Sequence, residues 1–135
     1  MKELNLEAKL ENIPQATAFV DEQLEAVDCP IKAQMQIDLA VDELFANIAN
    51  YAYGDGTGSA TLRFEFDEEN RTAAITFIDG GVPFNPLEKD DPDVSLPARE
   101  REVGGLGIYL VKKSMDRMEY RREGDFNHFT IYKRV

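Results

Sequence analysis

Two periods of apolar residues run along the chain, and each change of period marks an element. Leu4, Leu6, Ala8 and Leu10 alternate with polar and charged residues, the period of a half-buried strand. The spacing then turns helical, with Ala16, Val20, Leu24 and Val27 on one face, and Asn12 and Pro14 supply helix-start chemistry. Pro30 closes the connection. Ile37, Val41, Leu44, Ile48 and Tyr51 recur at i, i+4, i+7, i+11 and i+14, the core-facing stripe of a second helix over residues 31–53. The glycines of residues 54–58 stop it. Ala60, Leu62, Phe64 and Phe66 alternate again, residues 67–70 form a polar turn, and Ala73, Ile75 and Phe77 return as the hairpin partner.

Residues 87–103 carry two further prolines and many charges with little periodicity, which predicts a lid or loop. Gly104-Gly105-Leu106-Gly107 opens a third helix with Leu106, Leu110, Val111 and Met115 on its buried side. A closing hairpin over 118–122 and 126–134 turns at Gly124-Asp125. Hairpin-linked strands with helices between them predict an α+β two-layer sandwich: a mixed, mainly antiparallel sheet with about three helices on one face. There is no internal repeat, and the expectation is one domain over residues 1–135.

Composition narrows the function classes. With 26 acidic against 15 basic residues the net charge is −11, which repels phosphate backbones and argues against a nucleic-acid partner. A basic protein, or a basic surface on one, is the better match. No apolar run reaches membrane-spanning length and no signal-peptide pattern opens the chain, so no membrane association is expected. The single cysteine, Cys29, rules out an intramolecular disulfide framework and fits a reducing, cytoplasmic setting. His128 is the only histidine and falls in the last strand, where no catalytic or metal role is expected.

Three stations carry candidate chemistry. Glu43 and Asn47 lie one helical turn apart, off the apolar stripe, where a carboxylate can act as base and an amide oxygen can meet a hard cation. Asp79-Gly80-Gly81 sits where a strand leaves the sheet; its carboxylate accepts hydrogen bonds and its glycines admit a flat ligand. Gly104 to Gly107 set exposed amides and a positive dipole end at a helix start, which favours an anion. Each is ordinary alone. The glycine run lacks the Gly-Lys-Ser/Thr of a P-loop and the βαβ setting of a dinucleotide fold.

In this order the stations resemble the N, G1 and G2 boxes of the GHKL (Bergerat-fold) ATPase family, and most of all its small bacterial branch, the anti-sigma factor serine kinases. Asp42-Glu43-Leu44-Phe45-Ala46-Asn47 and the run from Gly104 to Val111 carry the match, and the length and element order extend it over the chain. The resemblance implies ATP and Mg²⁺ as cofactors. Asn47 would ligate the metal, Glu43 would be the general base, and Asp79 would bind the adenine amine in a pocket shaped by Gly81. Gly104, Gly105, Leu106 and Gly107 would hold phosphates, Arg101 and Arg99 would neutralise them, and residues 87–103 would be the lid. It further implies a small antagonist protein with a phosphorylatable Ser or Thr, and a sigma factor, as partners. The alternative within the same family is a nucleotide-binding partner-switching module without kinase activity. Members of the branch often dimerise, and no stretch of this sequence marks an interface. Asn50, where many such kinases carry histidine, and Val82-Pro83-Phe84, in place of a second G1 glycine, depart from the pattern.

Overall fold

A computed structural model describes residues 1–88 and 105–135. Among them the order is β1 (Lys2–Glu7), α1 (Ile13–Ala26), α2 (Ile31–Asn47), β2 (Ser59–Asp67), β3 (Thr72–Asp79), α3 (Gly105–Ser114), β4 (Arg117–Glu123) and β5 (Phe126–Arg134). The strands form one sheet in the order β1-β2-β3-β5-β4. All four pairings are antiparallel, where the pattern predicted some parallel character. The connection through α3 does leave β4 parallel to β3, but β5 inserts between them and pairs with both.

The core lies between one sheet face and the helices. Ala60, Leu62, Phe64, Ala73, Ile75, Phe77, Phe129 and Ile131 meet Val20 and Leu24 of α1, Ile37, Val41, Leu44 and Phe45 of α2, and Ile108, Val111 and Met115 of α3. The strand alternation is as expected from the sequence. In α3 the phase differs: Leu110 is exposed and Ile108 is buried in its place. At the start of α1, Asn12 makes no side-chain cap. Its Nδ2 donates instead to the Glu7 carbonyl at 2.9 Å, tying the helix entry to the end of β1. β1 is also shorter than its alternation, and Leu10 sits exposed in a 3₁₀ turn over Leu10–Asn12.

The largest departure is at the end of the second helix. The α-helix stops at Asn47, and Ile48–Ala52 form a π-helical turn. A π turn takes more residues per revolution and rotates everything beyond it. Tyr51 therefore leaves the core stripe and is half exposed, while Ala52 is buried. Gly54, with φ +57°, ends the element in the left-handed conformation that suits glycine.

Two carboxyl groups meet between α1 and α2. Asp21 and Asp38 each keep one buried oxygen without a hydrogen-bond partner among the described residues. Burial first, then the Asp21 carboxyl beside it, push Asp38 up to about 8 from an ordinary 3.8. A proton held on Asp38 supplies a donor that the pair otherwise lacks. Because the folded-state value lies above the unfolded one, the associated stability is complete below pH 3.8 and is lost as pH rises through about 8. Asp38→Asn, whose amide donates without a proton, should raise the melting temperature by about 4 °C near pH 9 and leave it unchanged near pH 4. That shift corresponds to about 1 kcal/mol once solvent screening at this partly exposed site is allowed for. Equal shifts at both pH values in thermal melts would exclude a proton held on Asp38.

Candidate functional site

α2 carries the first part of the site. Asp42 turns toward α1 and accepts a 2.5 Å hydrogen bond from the Thr17 hydroxyl. Glu43, one residue on, has no hydrogen-bond or ion-pair partner among the described residues, and burial raises its carboxyl above the usual value of 4.5. Gly107 in the first turn of α3 lies against it: a Cβ there would overlap the Glu43 carboxylate. The helix-borne carboxylate and the glycine-rich helix start, 64 positions apart in sequence as residues 43 and 107, are thus in contact. Asn47 follows one turn after Glu43 and lines a pocket, its amide unpartnered among the described residues.

That pocket encloses a cavity of about 40 Å³. Its walls are mainly apolar and aromatic, from Leu44, Ile48, Tyr51, Phe77, Phe84, Tyr120 and Phe129, with Asn47, Asp79 and Asn127 as the polar groups. The π turn has therefore moved Tyr51 from the core into the pocket wall. Asp79, buried at the end of β3, uses Oδ1 to accept from the Gly81 amide at 2.9 Å and from Asn127 Nδ2 at 3.0 Å. No described donor reaches its Oδ2, which leaves that oxygen for a ligand.

The loop after β3 is clamped from three sides. The Val82 amide donates at 2.9 Å to the Ala52 carbonyl, one of the orphan acceptors at a helix end. Gly81 sits so close that a Cβ would overlap that same carbonyl. The Tyr53 hydroxyl donates to the Ser59 carbonyl at 2.5 Å and accepts from the Gly80 amide at 2.8 Å, and Arg122 Nη1 donates to the Gly81 carbonyl at 2.9 Å.

Of the residues singled out from sequence, Glu43, Asn47, Asp79, Gly81 and Gly107 thus converge on one end of the sheet, and Gly105 begins α3 with Leu106 following in the same turn. Arg101, Gly104, Arg99 and most of the expected lid lie outside the described residues. Asn127, Tyr53, Tyr120 and Arg122 also join the site and are not among the residues singled out from sequence. Asn127 did leave a signal, because it is a polar residue on the inward phase set by Phe129 and Ile131.

A carboxylate at the base of an apolar slot, an unpaired amide beside it, and a second carboxylate facing a helix start together suit an aromatic ligand with an anionic tail. The comparisons with known proteins agree. The chain belongs to the histidine kinase-like ATPase domain family, which matches residues 6–133. Among similar proteins is the serine/threonine-protein kinase BtrW of Bordetella bronchiseptica, 23% identical over 100 residues, covering 74% of this chain and 70% of that one. The serine-protein kinase RsbW of Halalkalibacterium halodurans is 32% identical over 91 residues, covering 64% of this chain and 54% of the relative. RsbW of Bacillus mycoides is 33% identical over 82 residues, and the matched stretch spans half of its length, 50%. In fold, the chain resembles the histidine kinase domain of the blue-light activated histidine kinase of Erythrobacter litoralis. The TM-score is 0.59 at 19% identity, over 79% of this chain and 46% of that one. Among the described residues no helix is long and apolar enough to cross a membrane.

Proposed function

We propose that this chain is a cytoplasmic, ATP-dependent serine/threonine-protein kinase of the anti-sigma type. It would phosphorylate a small antagonist protein and hold a sigma factor according to the antagonist's phosphorylation state. The observation that carries the reading is the contact of Glu43 with Gly107 beside the pocket that Asn47 and Asp79 line. The kinase names of BtrW and RsbW support it.

In this reading the adenine enters the apolar slot and its amino group donates to Asp79, with Gly81 shaping the floor. The phosphates extend toward the start of α3, where the amides of Gly104, Gly105, Leu106 and Gly107 and the charge of Arg101 would receive them. Asn47, an unpaired hard-oxygen donor, fits a Mg²⁺ site. When bound, that ion would neutralise charge on the phosphate oxygens. Glu43 takes the proton of the acceptor Ser or Thr hydroxyl as its oxygen bonds to the γ-phosphorus, and the bond to the ADP oxygen breaks. Burial keeps the carboxylate poorly solvated, which strengthens it as a base.

The test begins with the melting temperature, with and without Mg²⁺-ATP. A ligand that binds only the folded state stabilises by about 2.7 kcal/mol at roughly a hundredfold excess over its dissociation constant, on the order of 10 °C for a domain of this size. Asn47→Ala should lose most of that shift. No shift at millimolar nucleotide would remove the ATP reading altogether. A shift without transfer of labelled phosphate to any antagonist would leave a nucleotide-binding partner-switching module.

A further inference from the structure

Asn127 is joined to four groups around the base of the pocket. Its Nδ2 donates to Asp79 Oδ1 at 3.0 Å and to the Val82 carbonyl at 2.8 Å. Its Oδ1 accepts from the Tyr120 hydroxyl at 2.5 Å and from the Phe84 amide at 3.3 Å. The donor end meets two acceptors and the acceptor end meets two donors, so only one orientation of the amide is satisfied. The β3–β5 register places Asn127 directly opposite Asp79, and both side chains are buried.

We propose that Asn127 sets which purine the pocket accepts, by holding Asp79 as a hydrogen-bond acceptor. The inference rests on reading the pocket as a purine site. Asp79 Oδ1 is held by two donors, the Gly81 amide and Asn127 Nδ2, so the carboxylate is fixed in rotation. Oδ2 is the oxygen left with acceptor capacity. A 6-amino purine brings a donor to it. A 6-oxo purine brings a second acceptor, and the two repel unless one carries a proton.

The identity of residue 127 therefore controls the polarity of the residue that touches the base. An aspartate there would set acceptor against acceptor, and two buried carboxyl groups at this distance can coexist only by sharing a proton. That proton gives the pair a donor it otherwise lacks, and a donor suits a 6-oxo base. An alanine would remove one of the two donors on Oδ1 and free the carboxylate to turn. Asn127 acts on the ligand only through Asp79, so it is a positioning residue.

The experiment compares ATP with inosine triphosphate, which differ at the 6-position of the base and share ribose and triphosphate, by calorimetric titration. The wild-type chain should favour ATP by about a hundredfold or more, as expected where a polar site is left unpaired by the analogue. In Asn127→Asp the preference should shrink by about tenfold or more, or invert, and Asn127→Ala should shrink it less. Tyr120→Phe removes only one bond onto Asn127 and keeps the ring in the pocket wall. It should narrow the preference a few-fold, and it decides the matter if the Asn127 variants do not fold. A merely structural residue would weaken both nucleotides alike; an unchanged ratio in every folded variant overturns the proposal while leaving the ATP site in place. A wild-type chain that binds neither nucleotide overturns both.

Discussion

Glu43→Gln is expected to lower phosphoryl transfer by about a thousandfold, within the range a general base contributes, while the Mg²⁺-ATP melting shift persists. The amide keeps the size and polarity of the side chain and removes only its capacity to take a proton. Because burial raises the Glu43 carboxyl above 4.5, the acid limb of the wild-type transfer profile should lie at higher pH than for an exposed glutamate. Protonation from below that limb should silence the enzyme without unfolding it. Gly107→Ala gives an independent handle. Its Cβ would overlap the far end of a flexible side chain, so Glu43 can swing aside at small cost in stability, and transfer should fall because the base is displaced. The two substitutions together should cost little more than Glu43→Gln alone. Full transfer by Glu43→Gln would assign the base to another group.

The sequence made the strands legible because each has one face in the core, so the alternation Ala60-Leu62-Phe64 and Ala73-Ile75-Phe77 reports burial directly. The site residues were legible by type and order, since Glu43 and Asn47 stand off the apolar stripe and the glycines stand at element ends. Their meeting was legible only through the family resemblance, not from spacing or periodicity. It depends on α3 crossing back so that Gly107 reaches Glu43, a non-local packing fact with no local marker. The phase of α3 departs from the pattern for a related reason: its first turn is glycine-rich and offers few apolar residues to fix the stripe, so the spacing favours Leu110 where the fold buries Ile108. Tyr51 leaves the expected stripe because a period of 3.6 does not carry through a π turn. The parallel component expected of the sheet failed at the same level, because β5 inserting between β3 and β4 is decided by strand order rather than by strand pattern.

Gly81→Ala should be the most damaging single-methyl substitution at the site, costing about 1–3 kcal/mol of stability and about a hundredfold in ATP affinity. The contrast with Gly107 is physical. At Gly107 the obstacle is a side-chain end; at Gly81 it is the Ala52 backbone carbonyl, with the Ala52 Cβ only 2.6 Å from the new methyl. Backbone at the end of the π turn can move only if the 2.9 Å bond from Val82 N–H to that carbonyl stretches or breaks. The loop would also have to shift against the Arg122 and Tyr53 clamps. Moving Gly81 withdraws its amide from Asp79 Oδ1, so the carboxylate loses one of the two donors that fix it. Stability and ligand response should therefore fall together in Gly81→Ala, whereas Gly107→Ala should keep its stability and its melting shift and lose transfer. Thermal melts of both variants with and without Mg²⁺-ATP, beside a transfer assay, separate the two. A Gly81→Ala protein with wild-type stability and an intact shift would mean that the loop is free to move. The docking of Gly81 against the end of the π turn would then play no part in forming the pocket.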